Sequence, residues 1–332
     1  MTFEEFTEMI KEEILKNFPE YELHEERVEK LQKQSYNGLV VKEADSNIGM
    51  TLNLDGYYKQ MEDGRDVDEI LKEITDTVIT ARRDAPVLDT ESLKDYAKLK
   101  EHLIMQMVPI EGNEEMLSKV PHKRVNDLAV VYRIMLSQNG RGEASILLTN
   151  ENCWAFGVSK EQVEKDAVAA SEKNHPLTIN SMESVLFSVP ENEVEDSNGL
   201  WVISNDTGRY GASASAYPGA PEKIAEKIGN SFYVIPSSIH EMLVMPEGTE
   251  MKAKDLDGMV ASVNSTGVAE EERLTNHSYH YDKDAKLFEI GIVYEARKAQ
   301  ERENEKVREA VMEQAGNPAV HEDPEEYHAE GK

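Results

Sequence analysis

The chain has 332 residues, 39% of them hydrophobic and 30% charged, enough to bury a sizeable core and to form two domains or one large domain with appendages. Acids outnumber bases 65 to 36, a formal charge of -29, and an excess of that size repels nucleic-acid phosphate, so direct nucleic-acid binding is not expected. The single cysteine, Cys153, excludes an intrachain disulfide and a thiolate metal cluster built from this chain alone.

The opening MTFEEFTEMIKEEI is acidic and amphipathic, unlike the basic and then apolar stretches of a signal peptide, and no apolar run approaches a membrane span. With one cysteine, this leads us to expect a cytoplasmic protein. Thr2 and Glu5 form a capping box for a first helix that carries Phe3, Phe6, Ile10 and Ile14 and ends at Pro19. From 21 to 54 a small antiparallel sheet is expected. Its turns are Asn37-Gly38 and Asp45-Ser46-Asn47, and Ile48, Met50, Leu52 and Leu54 alternate along one strand. Asp66 and Glu69 cap a second helix from about 66 to 82, and the polar stretch 83–92 marks a boundary.

The middle of the chain reads as a strand, a turn, a second strand and a helix, twice over. LAVVYRIML and ASILLTN flank Asn139-Gly140, and Ser159 with Gln162 caps a helix to about 173. GLWVISN and GASASAY flank Asp206-Thr207-Gly208, and a helix runs from Pro221 to a stop at Gly229. The pairing of 128–173 with 199–229 raises an internal duplication, which strand-to-turn chemistry alone also produces. A strand MLVMP, a helix over 255–264, two short strands in SYHYDKDAKLFEIG and a charged helix to Gly316 complete the pattern. Residues 317–332 have the composition of a disordered acidic tail.

The large signatures of nucleotide binding, zinc proteolysis and serine hydrolysis are missing, and neither a cofactor nor a metal is expected. One cluster carries chemistry. In YVIPSSIHE, Ser237 or Ser238 as nucleophile, His240 as base and Glu241 as its orienting acid would supply the three roles of acyl transfer. The same residues contain S-x-x-E, so the favoured reading is a strand that gives way to a helix capped by Ser238 and Glu241. His277 and His280 suit a metal only on a helix, with Asp282 or His240 completing the shell. The surrounding tyrosines indicate a strand, which would point them apart. Cys153 reads as a small buried hydrophobe. NDTGRYGASASAYPGAP admits close approach of a ligand or backbone, with Arg209 facing an anion, but small residues packed beneath a helix explain it more simply.

MTLNLDGYYKQMEDGRDVDEIL, PHKRVNDLAVVYRIML, LLTNENCWAFGVSKEQV, SNDTGRYGASASAYPG, YVIPSSIHEMLVMPEG and ERLTNHSYHYD, in that order, resemble the domain of unknown function 5688 family of clostridia and related Firmicutes. The resemblance spans about residues 1 to 295. It implies no activity, cofactor or site residue. It does imply a cytoplasmic protein often encoded on mobile elements.

The expected fold is α+β. A helix-sheet-helix unit fills 1–85, and a larger, mostly antiparallel unit with flanking helices fills 90–295. A charged helix over 296–316 and the tail follow. The expected function is a non-enzymatic interaction or regulatory protein with an unknown protein partner and no membrane association. The alternatives are a hydrolase built on Ser237 or Ser238, His240 and Glu241, and an acidic DNA mimic that inhibits a DNA-binding enzyme.

Overall fold

A computed structural model describes residues 1–29, 35–44, 49–84, 95–139, 142–190, 199–248 and 250–316. The first helix, α1 (Phe3–Asn17), begins at the anticipated capping box: Thr2 Oγ1 accepts from the Glu5 amide, and Glu5 Oε2 accepts from the Thr2 amide. Behind it β1 (Tyr21–Glu29), β2 (Ser35–Glu43) and β3 (Gly49–Asn53) form an antiparallel sheet in the order β1-β2-β3. Two further helices follow, α2 (Leu54–Glu62) and α3 (Val67–Asp84), the second capped by Asp66 as its sequence requires.

Phe6, Ile10 and Ile14 of α1 meet Leu39, Val41 and Leu52 of the sheet and Ile70, Ile74 and Val78 of α3 in one core. Asn37-Gly38 is not the turn its residue types announce, because both residues lie inside β2. A Cβ on Gly38 would stand 2.6 Å from side-chain atoms of both Val28 and Thr51, so the glycine answers to close neighbouring strands. Asn37 instead holds Asp55 at the start of α2 through its amide and its side chain. Asn53 caps α2 at Gly56, which takes Leu54 out of the strand. The expected turn at Asp45-Ser46-Asn47, with Ile48, lies outside the described residues, as do Ala85 onward in the expected boundary, Gly140 and the tail from Asn317.

A second sheet is built from β4 (Leu103–Pro109), β5 (His122–Val125), β6 (Leu128–Asn139) and β7 (Gly142–Leu147), after the one-turn α4 (Tyr96–Leu99). Strand β6 is the spine: β4 pairs along one edge, and β5 and β7 share the other. One face is covered by the short α5 (Glu114–Lys119), with Leu117 and Val120 against Val108, Ala129 and Val131. Helices α6 (Asn150–Phe156) and α7 (Lys160–Asn174) follow, the latter capped by Ser159 at Gln162.

The third sheet has six antiparallel strands. They are β8 (Leu177–Ser181), β9 (Trp201–Asn205), β10 (Phe232–Ser238), β11 (Glu241–Pro246), β12 (Tyr279–Asp282) and β13 (Leu287–Ile290), in the order β13-β12-β10-β11-β9-β8. Helix α8 (Met182–Phe187) follows β8, and α9 (Ala220–Ile228) ends at Gly229 in the left-handed region, as its residues predict. Alternation along β10 divides its faces. Phe232 and Val234 join the core shared with the second sheet, while Tyr233 and Ile235 pack under α10 (Ala253–Thr266) and α11 (Gly291–Gly316).

GASASAY is not a strand. Gly211–Ala216 forms a 3-10 helix, with Ala212, Ser213 and Ala214 fully buried. It runs beside the free edge of β4, where Ser213 donates to the Met105 carbonyl and the Met105 amide donates to Ser171, so buried hydroxyls satisfy an edge that would otherwise be open. The two middle segments therefore differ: β6 pairs with β7, whereas β9 lies between β11 and β8 with no hairpin partner after its turn. The architecture is α+β.

Candidate functional site

PSSIHE is not a helix cap but the end of a hairpin. Ser238 pairs with Glu241 in the β10–β11 register, which leaves Ile239 and His240 as a two-residue hairpin loop, and the register shifts between Pro236 and Ser238. Spacing that satisfies S-x-x-E also closes a hairpin of this length. Pro236 is tolerated because it lies past Val234, the last residue of β10 paired with β12.

Each polar side chain in the loop is engaged. Ser237 Oγ donates to Glu241 Oε1 at 3.1 Å, and Ser238 Oγ accepts from the His240 amide at 3.0 Å. The His240 ring points elsewhere: Nδ1 lies 3.2 Å from the Gly208 carbonyl oxygen and Nε2 lies 3.5 Å from Glu272 Oε1. Both ring nitrogens lie against oxygens of other residues and neither is hydrogen-bonded to Ser237 or Ser238, which a general base for either hydroxyl would be. The loop's task is visible in its backbone. The Ile239 amide donates to the Glu272 carbonyl, and the Ile239 carbonyl accepts from the Ala212 amide.

Against this loop sits the segment Gly208–Gly211. A Cβ on Gly211 would stand 2.0 Å from Ser204 Oγ and 2.4 Å from the His240 carbonyl oxygen, so only glycine admits the contact. The preceding Tyr210 is held in the left-handed region at φ 50°, a conformation that L residues rarely adopt. Its ring lies parallel to His240, with centroids 6.2 Å apart, and Arg133 of β6 lies 5.9 Å from the same ring. The sequence reading singled out Arg209 here and missed Arg133, although an arginine inside the apolar run LAVVYRIML is a visible signal.

His277 and His280 sit in different surroundings, and only His280 lies in the strand expected to carry both. His277 is exposed and places Nδ1 2.8 Å from Asp127 Oδ2. Asp127 also accepts from Tyr279 and Thr275. Burial alone would raise its carboxyl pKa, but these bonds outweigh it and hold the group below the ordinary range. His280 is fully buried in β12, stacked on Tyr294 at 3.4 Å and edge-on to Tyr233, and neither ring nitrogen has a hydrogen-bond partner. Burial pushes its pKa down to about 4. Beside it, Asp282 is gripped by Arg297 and Lys298 of α11. Among the described residues no three His, Cys, Asp or Glu side chains are grouped to hold a metal ion. Cys153 is buried in α6, and burial raises its thiol pKa, away from the reactive thiolate.

Among the described residues no helix is long and apolar enough to cross a membrane. Comparison with known families matches residues 3–283 to the family of unknown function DUF5688, so β13 and α11 lie beyond the matched span. No curated protein and no solved structure matches the chain.

Proposed function

We propose, for a chain that belongs to the family of unknown function DUF5688, a non-enzymatic interaction or regulatory role in the cytoplasm. The observation that carries this reading is the direction of the His240 ring, whose two nitrogens face Gly208 and Glu272 while the serine hydroxyls bind Glu241 and the loop backbone. The residues that could have supplied a nucleophile and its base are spent on closing a hairpin. Consecutive exposed apolar side chains at Val185, Leu186 and Phe187 of α8, with Trp154 of α6 86% exposed, add surface of the kind that partners cover. Carriage on a mobile element is the wider setting that this role fits.

The test is covalent. The purified chain is treated with a fluorophosphonate probe, which labels serines activated by a neighbouring base, and digested for mass spectrometry. No adduct on Ser237 or Ser238 is expected. An adduct that vanishes in His240→Ala would overturn the reading in favour of a hydrolase.

A further inference from the structure

Among the described residues Arg133 is a cation without a carboxylate partner. Its Nε donates to Ser145 Oγ at 2.9 Å, one terminal nitrogen to Gln106 Oε1 at 3.3 Å and the other to the Ser145 carbonyl at 3.5 Å, all neutral acceptors. A guanidinium has five N–H donors, so one remains on each terminal nitrogen. No carboxylate pairs with it among the described residues, in a chain where acids outnumber bases 65 to 36. Several other partly covered cations behave differently. Lys11, Lys42, Arg65, Arg297 and Lys298, with side chains 23–35% exposed, all pair with carboxylates.

The surroundings are built. Gln106 is buried at 3% exposure and fixes one side of the guanidinium, Ser145 fixes another, and Tyr210 is brought beside it by a left-handed backbone that the tight seat of Gly211 holds in place. Left-handed backbone at a bulky residue persists only where its surroundings over-determine it, and such positions gather at ligand clamps. A half-buried guanidinium held in a fixed plane by neutral groups, with a donor to spare on each terminal nitrogen, matches the geometry by which arginine receives a carboxylate or phosphate group.

We propose that Arg133 and Tyr210, with Gln106 and Ser145 orienting the guanidinium, form a binding site for a small-molecule oxyanion, a carboxylate or phosphate group. The proposal rests on the non-enzymatic reading, since it makes the region beside the hairpin a place for binding and not for turnover. Arg133 receives the anion, Tyr210 covers it, and His240 lies at the border of the site, where it reports occupancy.

Thermal unfolding of the full chain is followed while inorganic phosphate, and separately acetate, is raised against sodium chloride at matched ionic strength. Wild type is expected to gain a Tm increment over chloride that grows with the logarithm of anion concentration, and the stronger of the two anions identifies the group. Arg133→Met is expected to lose the increment, read against the variant's own Tm without anion, because removing the guanidinium also leaves the buried Gln106 acceptor without this partner. Arg133→Lys, which keeps the charge but not the fork, is expected to bind about tenfold more weakly. In wild type the His240 C2 proton resonance is expected to shift on titration, a readout that needs no variant. The absence of any increment and any His240 shift with both anions overturns the site, as does an equal increment in Arg133→Met. Fluorophosphonate labelling distinguishes the two failures. No label with no anion response removes the oxyanion site and leaves the non-enzymatic reading, whereas a label on Ser237 or Ser238 that vanishes in His240→Ala removes that reading on its own.

Discussion

The sheet β1–β3 and the sheet β8–β13 are both antiparallel, yet they are held in different ways. The first rests on α1 and α3 through an apolar core, and Thr7 is the sole buried polar residue among its described positions up to Asp84. Its ion pairs, among them Lys11 with Glu25 and Arg82 with Glu20 and Glu43, are surface pairs of the kind that contribute little. The second buries Ser181, Ser204, Asn205, His280 and Asp282 in its strands, with Ser278 just before β12, and ties α11 down through Asp282. A sheet built on apolar packing has few buried groups whose protonation could weaken it. A sheet with polar groups in its layers is specific in its contacts, sensitive to protonation and able to present a site.

The sharpest way to break this contrast is to injure the apolar core. Phe6→Ala removes a fully buried ring and is expected to destabilise the α1–α3 region by about 3 to 5 kcal/mol, read by urea unfolding. If that region melts first while the tyrosine-rich third sheet keeps its near-ultraviolet signal, the two cores are energetically separate. A single transition for both would show one cooperative unit instead.

Next comes His280. Burial lowers its pKa to about 4 in the fold, below the value of a free imidazole, so the unfolded chain takes up the proton first. Its contribution is therefore undiminished above about pH 6.5 and declines as pH falls to about 4, by about 3 kcal/mol in total. His280→Phe keeps a ring against Tyr294 and should flatten the pH dependence of Tm across that window; an unchanged slope would place the titration elsewhere.

Gly211→Ala should destabilise by about 2 kcal/mol, since its Cβ meets backbone as well as a hydroxyl and both must move. A neutral result by thermal unfolding would mean that the seat beneath Tyr210 is looser than its distances indicate. The smallest effects belong to the hairpin. Ser237→Ala and Ser238→Ala each remove one partly buried hydrogen bond and should lower stability by about 1 kcal/mol or less, without the stabilisation that follows removal of a strained functional group.

Local chemistry made much of the fold legible. Thr2 with Glu5, Asp66, Ser159 and Gly229 mark helix ends because a cap is a contact within one turn, fully written in adjacent residues. Meanings set by distant strands were not legible. Gly38 answers to Val28 and Thr51 across the sheet, and Gly211 answers to Ser204 and the His240 carbonyl, so reading either as a turn or strand glycine fails for want of its neighbours. Ser238 and Glu241 show the same limit, because three-residue spacing serves a helix cap and a two-residue hairpin equally. The separation of His277 and His280 was expected from alternation along one strand, but only His280 lies in β12, while His277 precedes it and turns to Asp127. Arg133 was hidden because what singles it out is a missing counter-charge, which only the folded arrangement displays.

The most direct test of the contrast between the two sheets is amide hydrogen exchange by mass spectrometry at about pH 7 and about pH 5, corrected for intrinsic rates. Protection should fall on acidification in peptides spanning β12 to the start of α11, around His280, and hold in peptides from α1 to α3. Equal loss in both regions, or loss confined to α1–α3, would contradict the account.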